Sequence, residues 1–198
     1  MKYVFLIWIF LVLSGFAFFY QYEFEEGDFH VKKDYSKIIE KHFSSQDLSN
    51  ILICFLHPKC PCSDATIYEL NRLRTSNKEL KIIAVLSFPE NTYSEWKTIN
   101  RVDNQLSRIE GLEIIEDKNS EMAKDFGGLT SGSCYLFRDS ELMFAGGITP
   151  SRGHLGKTEA HEIISKKASN EDLLVQKVFG CPINSTEECN EEICTINH

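Results

Sequence analysis

Asn50-Ile-Leu-Ile-Cys-Phe-Leu-His-Pro-Lys-Cys-Pro-Cys-Ser-Asp-Ala-Thr-Ile-Tyr-Glu-Leu-Asn-Arg-Leu-Arg74 decides the fold. Its first seven residues form an apolar run of strand length, rich in β-branched and aromatic side chains. From Cys62 to Arg74 the pattern changes: Ala65, Ile67, Leu70 and Leu73 recur at helical spacing with charge between them. Cys60 and Cys62 therefore sit at a strand-to-helix junction. Pro61 suits the first helical position, and the residue before a proline is pushed out of the α region. That places Cys60 at or near the N-cap, facing solvent and the first unpaired N–H groups, with Cys62 inside the first turn. The helix dipole and those N–H groups favour a thiolate, and reactive cysteines so placed have pKa values of roughly 3.5–7.5. Cys60 is the expected nucleophile and Cys62 its resolving partner.

Outward from this stretch the chain alternates. Asp34 to Gln46 reads as a short amphipathic helix with Tyr35, Ile38, Ile39, His42 and Phe43 on one side. Lys81 to Phe88 is a second buried strand, Thr92 to Ile109 a helix, Leu112 to Ile115 a short strand, and Asn119 to Phe126 a helix closed by Gly127-Gly128. Ser133 to Arg138 and Glu141 to Ala145 form a hairpin about Asp139-Ser140, followed by a glycine-containing loop, Gly146 to Gly156, and a last helix, Lys157 to Lys167. This order implies a mainly parallel sheet with an antiparallel hairpin at one edge. Ligands of such sheets gather beyond the carboxyl ends of the parallel strands, which is where Cys60 lies. The hairpin starts from that end and returns to it, so Gly132 and the 146–156 loop should flank the dithiol.

The 198 residues suffice for one domain with appendages, and 42% hydrophobic with 25% charged residues is a globular composition. A net charge of −8 without a basic patch argues against nucleic acid as a partner. Tyr3 to Tyr20 is uncharged and almost wholly apolar, preceded by Lys2 and followed by Glu23, Glu25, Glu26 and Asp28. Its exit, Phe16-Ala-Phe-Phe-Tyr20, is a poor cleavage site, so the segment reads as an uncleaved anchor rather than a cleaved signal. The positive-inside rule puts Lys2 on the cytoplasmic side and the remainder on the exported side. The chain divides into a signal anchor (1–20), an acidic linker (21–30), a domain (31–178) and an acidic, cysteine-containing tail (179–198). Seven cysteines suit an oxidising compartment, and an odd number leaves at least one without an intramolecular disulfide partner.

The paired cysteines at this junction, in this order of elements, resemble the thioredoxin fold, and the match is closest to its membrane-anchored, exported branch of TlpA- and ResA-like thiol–disulfide oxidoreductases, especially the RedB type. The anchor, His57-Pro-Lys-Cys-Pro-Cys-Ser63, Thr130-Ser-Gly-Ser133, Gly146-Gly-Ile-Thr-Pro-Ser-Arg-Gly-His154 and Phe179-Gly-Cys-Pro182 carry the resemblance, which spans roughly residues 34 to 182. It implies an α/β thioredoxin-like fold, a Cys60–Cys62 dithiol exchanging disulfides with exported protein thiols, and a separate membrane-borne redox partner that recycles it, with no nucleotide, flavin or metal. His57, Pro61, Ser131, Gly132, Arg152 and His154 would support the dithiol. Two features depart from the family. Cys-Pro-Cys replaces Cys-Gly-Pro-Cys, so Cys60 aligns with a glycine unless one residue is deleted. Gly132, preceded by Ser131, holds the place of the family's cis-proline before the hairpin.

Other readings stand beside this one. His57 either caps the strand end or, as a cation, lowers the Cys60 pKa. Cys54 reads as a small buried hydrophobe and Cys134 as a packed strand residue. His154 is either a satisfied loop histidine or a proton shuttle or ligand. Gly156-Lys157-Thr158 ends like a phosphate loop, but Ser151 stands where that loop needs a glycine. Cys189 and Cys194 suit a disulfide, and the acidic tail that carries them equally suits disorder. The rival function is copper binding of the SCO type, with Cys60, Cys62 and His154 as ligands, since thiolates suit Cu(I).

Overall fold

Asn50–Leu56 forms β1, the strand on which the sheet is built. The computed structural model describes residues 2–43, 49–97, 101–165 and 172–185. In chain order, α1 (Lys2–Glu23) and α2 (Ser36–Phe43) precede β1, followed by α3 (Ser63–Ser76), β2 (Lys81–Phe88), α4 (Tyr93–Trp96), α5 (Arg101–Leu106), β3 (Leu112–Lys118), α6 (Glu121–Phe126), β4 (Ser133–Arg138), β5 (Glu141–Gly146), α7 (Glu159–Ser165) and β6 (Leu174–Val175). The sheet runs β3-β2-β1-β4-β5-β6. β1 is parallel to β2 and antiparallel to β4, and β3 extends the parallel side. This is the mixed sheet with an antiparallel hairpin that the order of elements implied.

β1 has no solvent-facing side, and its alternate residues feed two cores. Leu52, Cys54 and Leu56 join Leu70, Leu73, Val102, Leu106 and Ile164 on the face covered by α3, α5 and α7. Ile51, Ile53 and Phe55 join Tyr35, Phe43, Met122 and Phe126 on the face covered by α2 and α6. The hairpin closes at Asp139 (φ 48°) and Ser140 (φ 69°), the left-handed pair of a tight two-residue turn.

Several elements differ from the sequence reading. The helix expected from Thr92 to Ile109 is present as α4 and α5, with residues 98–100 outside the described residues. Trp96, Val102, Leu106 and Ile109, three to six residues apart, are all buried and form the face turned to the core. β3 continues past Ile115 through Glu116-Asp-Lys118, a polar extension paired with Leu86–Phe88. Its buried Asp117 accepts the Met122 and Ala123 N–H groups, both at 2.9 Å, and so caps α6. β6 pairs parallel with β5 through two residues, too short for a periodic signal. α1 runs three residues beyond Tyr20. At about 33 Å it can cross a hydrocarbon core of about 30 Å, and its mean hydropathy is 2.2 with none of the span buried.

The largest correction concerns Cys54 and Cys134. They are not two separate buried hydrophobes but a disulfide, with Cα atoms 4.1 Å apart across the β1–β4 pair. Their side chains face each other only because Cys54 pairs with Cys134 in this register, a relation between positions 80 residues apart in sequence. Cross-linking so long a loop restricts the unfolded chain by on the order of 4 kcal/mol in the chain-entropy account. Replacing both cysteines by alanine should lower the unfolding free energy of the full chain by about 2–4 kcal/mol. Guanidinium denaturation in detergent checks this; an unchanged midpoint would mean that the cross-link contributes nothing.

Candidate functional site

The path from β1 into α3 is a series of tight turns. Cys60 N–H bonds to the His57 carbonyl (3.1 Å), Ser63 N–H to the Cys60 carbonyl (3.1 Å) and Asp64 N–H to the Pro61 carbonyl (3.3 Å). These turns delay the helix by two residues: Cys62 is its N-cap, and Pro61 lies in the exposed turn instead of at the first helical position. The exposures of the two cysteines are accordingly reversed from expectation. Cys60 is fully buried and Cys62 partly exposed.

Cys60 is covered by a residue to which sequence reasoning gave no role. Cys181 brings its sulfur to 2.8 Å from the Cys60 sulfur. The sulfurs of Cys60, Cys62 and Cys181 all lie within 4.8 Å of one another. Contact with Cys181 and then Cys62 holds the Cys60 thiol well below the ordinary thiol range, against the opposing effect of burial. For Cys62, contact with Cys181 lowers the pKa. The Cys60 contact, burial and the Cys60 charge outweigh it and push the thiol up to about 12. Of the two thiols, Cys60 is thus the one whose ionisation its neighbours favour, while Cys62 is the more accessible sulfur.

Cys181 is held there by backbone. The segment 181–183 runs antiparallel to the loop before β4. Ser131 N–H donates to the Cys181 carbonyl (2.8 Å) and Ile183 N–H to the Leu129 carbonyl (2.8 Å), with Thr130 opposite Pro182. Gly180 permits the approach, because a Cβ there would collide with the Ser131 carbonyl.

Ser131 joins the pieces. Its hydroxyl accepts the His57 N–H (2.9 Å) and lies 3.0 Å from the Ser63 hydroxyl, which donates to the His57 carbonyl (3.4 Å). One arrangement satisfies all three groups, with Ser131 O–H donating to Ser63. Ser63 is a site residue that the sequence reading missed. Gly132 donates its N–H to the Phe55 carbonyl (2.8 Å) and has φ 96°, a conformation suited to glycine and closed to proline.

His57 is buried and T-stacked on Trp96, with ring centroids 5.2 Å apart. Its Nδ1 accepts the Lys59 N–H (3.2 Å), so Nε2–H donates to the Ser185 carbonyl (3.0 Å). This fixes a neutral tautomer, and burial lowers its pKa further. Of the two readings of His57, the geometry favours the cap over the cation.

The 146–156 loop does reach the dithiol: a Cβ on Gly153 would stand 3.9 Å from the Cys62 sulfur. Arg152 donates to the Gly180 carbonyl (2.7 Å), stacks on Tyr22 and draws the Cys62 pKa down. His154 points elsewhere; its Nδ1 is 2.9 Å from the Glu23 carboxylate, at the end of α1. Arg152 N–H bonds to the Glu23 carbonyl (3.2 Å), and Gly27 N–H to the Val178 carbonyl (2.9 Å). The end of α1 and the first linker residues thus pack against the loop that borders Cys62 and against the segment that leads to Cys181. Cys189 and Cys194 lie outside the described residues.

No protein family and no curated protein matches this sequence. Among solved structures, it is similar to an uncharacterized conserved protein of Geobacillus kaustophilus, at 20% identity over 70% of this chain and 78% of that one, with a TM-score of 0.53. A hypothetical protein of Sinorhizobium meliloti matches at 15% identity over 83% of this chain and 93% of that one, with a TM-score of 0.52. A secreted Mycobacterium tuberculosis disulfide oxidoreductase homologous to Escherichia coli DsbE matches at 10% identity over 62% of this chain and 81% of that one, with a TM-score of 0.41. With the sheet order described above, the fold is thioredoxin-like.

Two outcomes follow from this geometry. Cys60→Ser removes the anion that raises Cys62, so the pH at which Cys62 becomes alkylatable should fall from about 12 toward the ordinary thiol range; an unmoved iodoacetamide profile would count against Cys60 as the thiolate. Ser131→Ala leaves the buried His57 N–H without its acceptor and should cost about 1–3 kcal/mol in denaturant unfolding.

Proposed function

We propose that this chain is a membrane-tethered thiol–disulfide oxidoreductase of the exported, RedB-like kind, working on protein thiols and disulfides. The observation that carries the reading is the Cys60–Cys62 sulfur pair at the carboxyl end of β1, where neighbouring thiols lower the Cys60 pKa. The Cys60 thiolate attacks a partner disulfide: a Cys60–partner S–S bond forms, the partner's own S–S bond breaks, and one partner thiolate leaves. Cys62, giving up its proton, attacks the Cys60 sulfur and releases the second partner sulfur as a thiol. The partner disulfide has gained two electrons and the dithiol has become a disulfide; the reverse sequence oxidises a partner dithiol. No bound cofactor takes part.

The buried Cys54–Cys134 disulfide supports an oxidising compartment, and so the exported side. The packing of the α1 end against the Arg152 loop supports recycling by a membrane-borne redox partner, because it turns the dithiol end of the domain toward the anchor.

The three sulfurs favour copper binding as the second reading, with Cys181 in place of His154. The oxidoreductase reading is preferred because it uses the Cys60–Cys62 pair at the end of β1 as it stands, with no ion added. Full-length protein in detergent should therefore reduce an insulin-type disulfide substrate when supplied with dithiothreitol, and Cys60→Ser should slow this by at least about a hundredfold, close to the uncatalysed rate. Absence of exchange in the wild type, together with one tightly held Cu(I) lost on Cys60→Ser, would replace the oxidoreductase by a metal carrier.

A further inference from the structure

Cys181 is more than a lid on Cys60. Three observations bear on it. Its sulfur lies 2.8 Å from that of Cys60. It comes from a segment 121 residues away and is positioned by backbone bonds to Ser131 and Leu129, not by local chain geometry. Both sulfurs are buried, while Cys62, the third member, is partly exposed.

We propose that Cys181 is a third redox-active thiol that shares Cys60 with Cys62, so that the disulfide passes between Cys60–Cys62 and Cys60–Cys181. The proposal rests on the oxidoreductase reading and deepens it. In the exchange, the Cys181 thiolate attacks the Cys60 sulfur of the Cys60–Cys62 disulfide. The Cys60–Cys181 bond forms, the Cys60–Cys62 bond breaks, and Cys62 leaves as a thiolate that takes up the proton Cys181 has lost. No electrons are gained or lost, so no further oxidant is required. The disulfide moves from a pair with one partly exposed sulfur to a fully buried pair, where small thiols reach it less readily, and Cys62 becomes a surface thiol. The same geometry lets Cys181 resolve a mixed disulfide on Cys60 when Cys62 cannot.

The test uses full-length protein in detergent, with Cys189→Ser and Cys194→Ser in every variant so that tail thiols do not interfere. Oxidised glutathione is the probe, and peptide mass spectrometry under non-reducing conditions is the readout. Cys62→Ser should yield a Cys60–Cys181 disulfide and little retained glutathione. Cys62→Ser with Cys181→Ser should retain glutathione on Cys60 at least about tenfold more. Gly180→Val in the Cys62→Ser protein pushes the segment off Ser131 without touching a sulfur, and should reduce the Cys60–Cys181 product by a similar factor. A Cys62→Ser protein that keeps its glutathione adduct as fully as the double variant, or shows no Cys60–Cys181 peptide, overturns the proposal while leaving the oxidoreductase reading intact. A Cys60–Cys181 peptide in a protein that fails the insulin-type assay upholds the shared disulfide and overturns the oxidoreductase reading.

Discussion

The register of β1 against β4 is the constraint on which the site depends. Phe55 pairs with Ser133, and this sets the loop just before β4, Ser131-Gly132, against the residues just after β1. Gly132 can then bond to the Phe55 carbonyl and Ser131 to the His57 N–H. Because side chains alternate with period two, a slip of one residue would send Leu52, Cys54 and Leu56 to the wrong core and separate Ser131 from His57. The Cys54–Cys134 disulfide fixes that register covalently from inside the sheet. The buried disulfide and the free thiols thus occupy different places on the same strand pair. One holds the frame, and the others sit where the frame ends.

At that end the chemistry comes from neighbours more than from the helix. A helix terminus by itself would ionise Cys60 through its backbone N–H groups and its dipole. The observed turns already commit the Ser63 and Asp64 N–H groups to the Cys60 and Pro61 carbonyls. What favours the Cys60 thiolate is foremost the Cys181 thiol and then the Cys62 thiol. A buried anion surrounded by weak donors needs each of them, so the ionisation of Cys60 is linked to the docking of the 181–183 segment. Such coupling is legible only when all three sulfurs are seen together.

The parts that were legible in the sequence are those written in local periodicity. β1, β2, α3 and the hairpin each announce themselves within a few residues, and the strand-to-helix junction located the dithiol. The positions of Gly132 and the Gly153 loop followed from topology, since a hairpin must return to the end it left. The rest depended on relations between distant positions. The Cys54–Cys134 bond needs the β1–β4 register, which no spacing within either strand encodes. Cys181 needs a C-terminal segment to fold back beside residues 129–131, and Phe-Gly-Cys-Pro has no period to suggest it. His154 was misdirected for a related reason. The loop does come to the dithiol, but the end of α1 presents Glu23, which takes the imidazole away from the sulfurs.

Both termini of the domain converge on the carboxyl end of β1. From the N-terminal side, Glu23 binds the loop that carries Arg152 and His154, Gly27 bonds to Val178, and Phe24 packs edge-on against Phe179. From the C-terminal side, residues 181–183 pair with the Ser131 loop and place the third sulfur. The segment bearing Cys181 is therefore clamped between the end of α1 and the β4 loop, with only a few backbone bonds on each side. Short backbone ladders at a sheet end open locally far more readily than a core strand does. The covering of Cys60 thus shares its supports with the end of α1, since the segment that places Cys181 follows directly on the residues that meet Phe24 and Gly27.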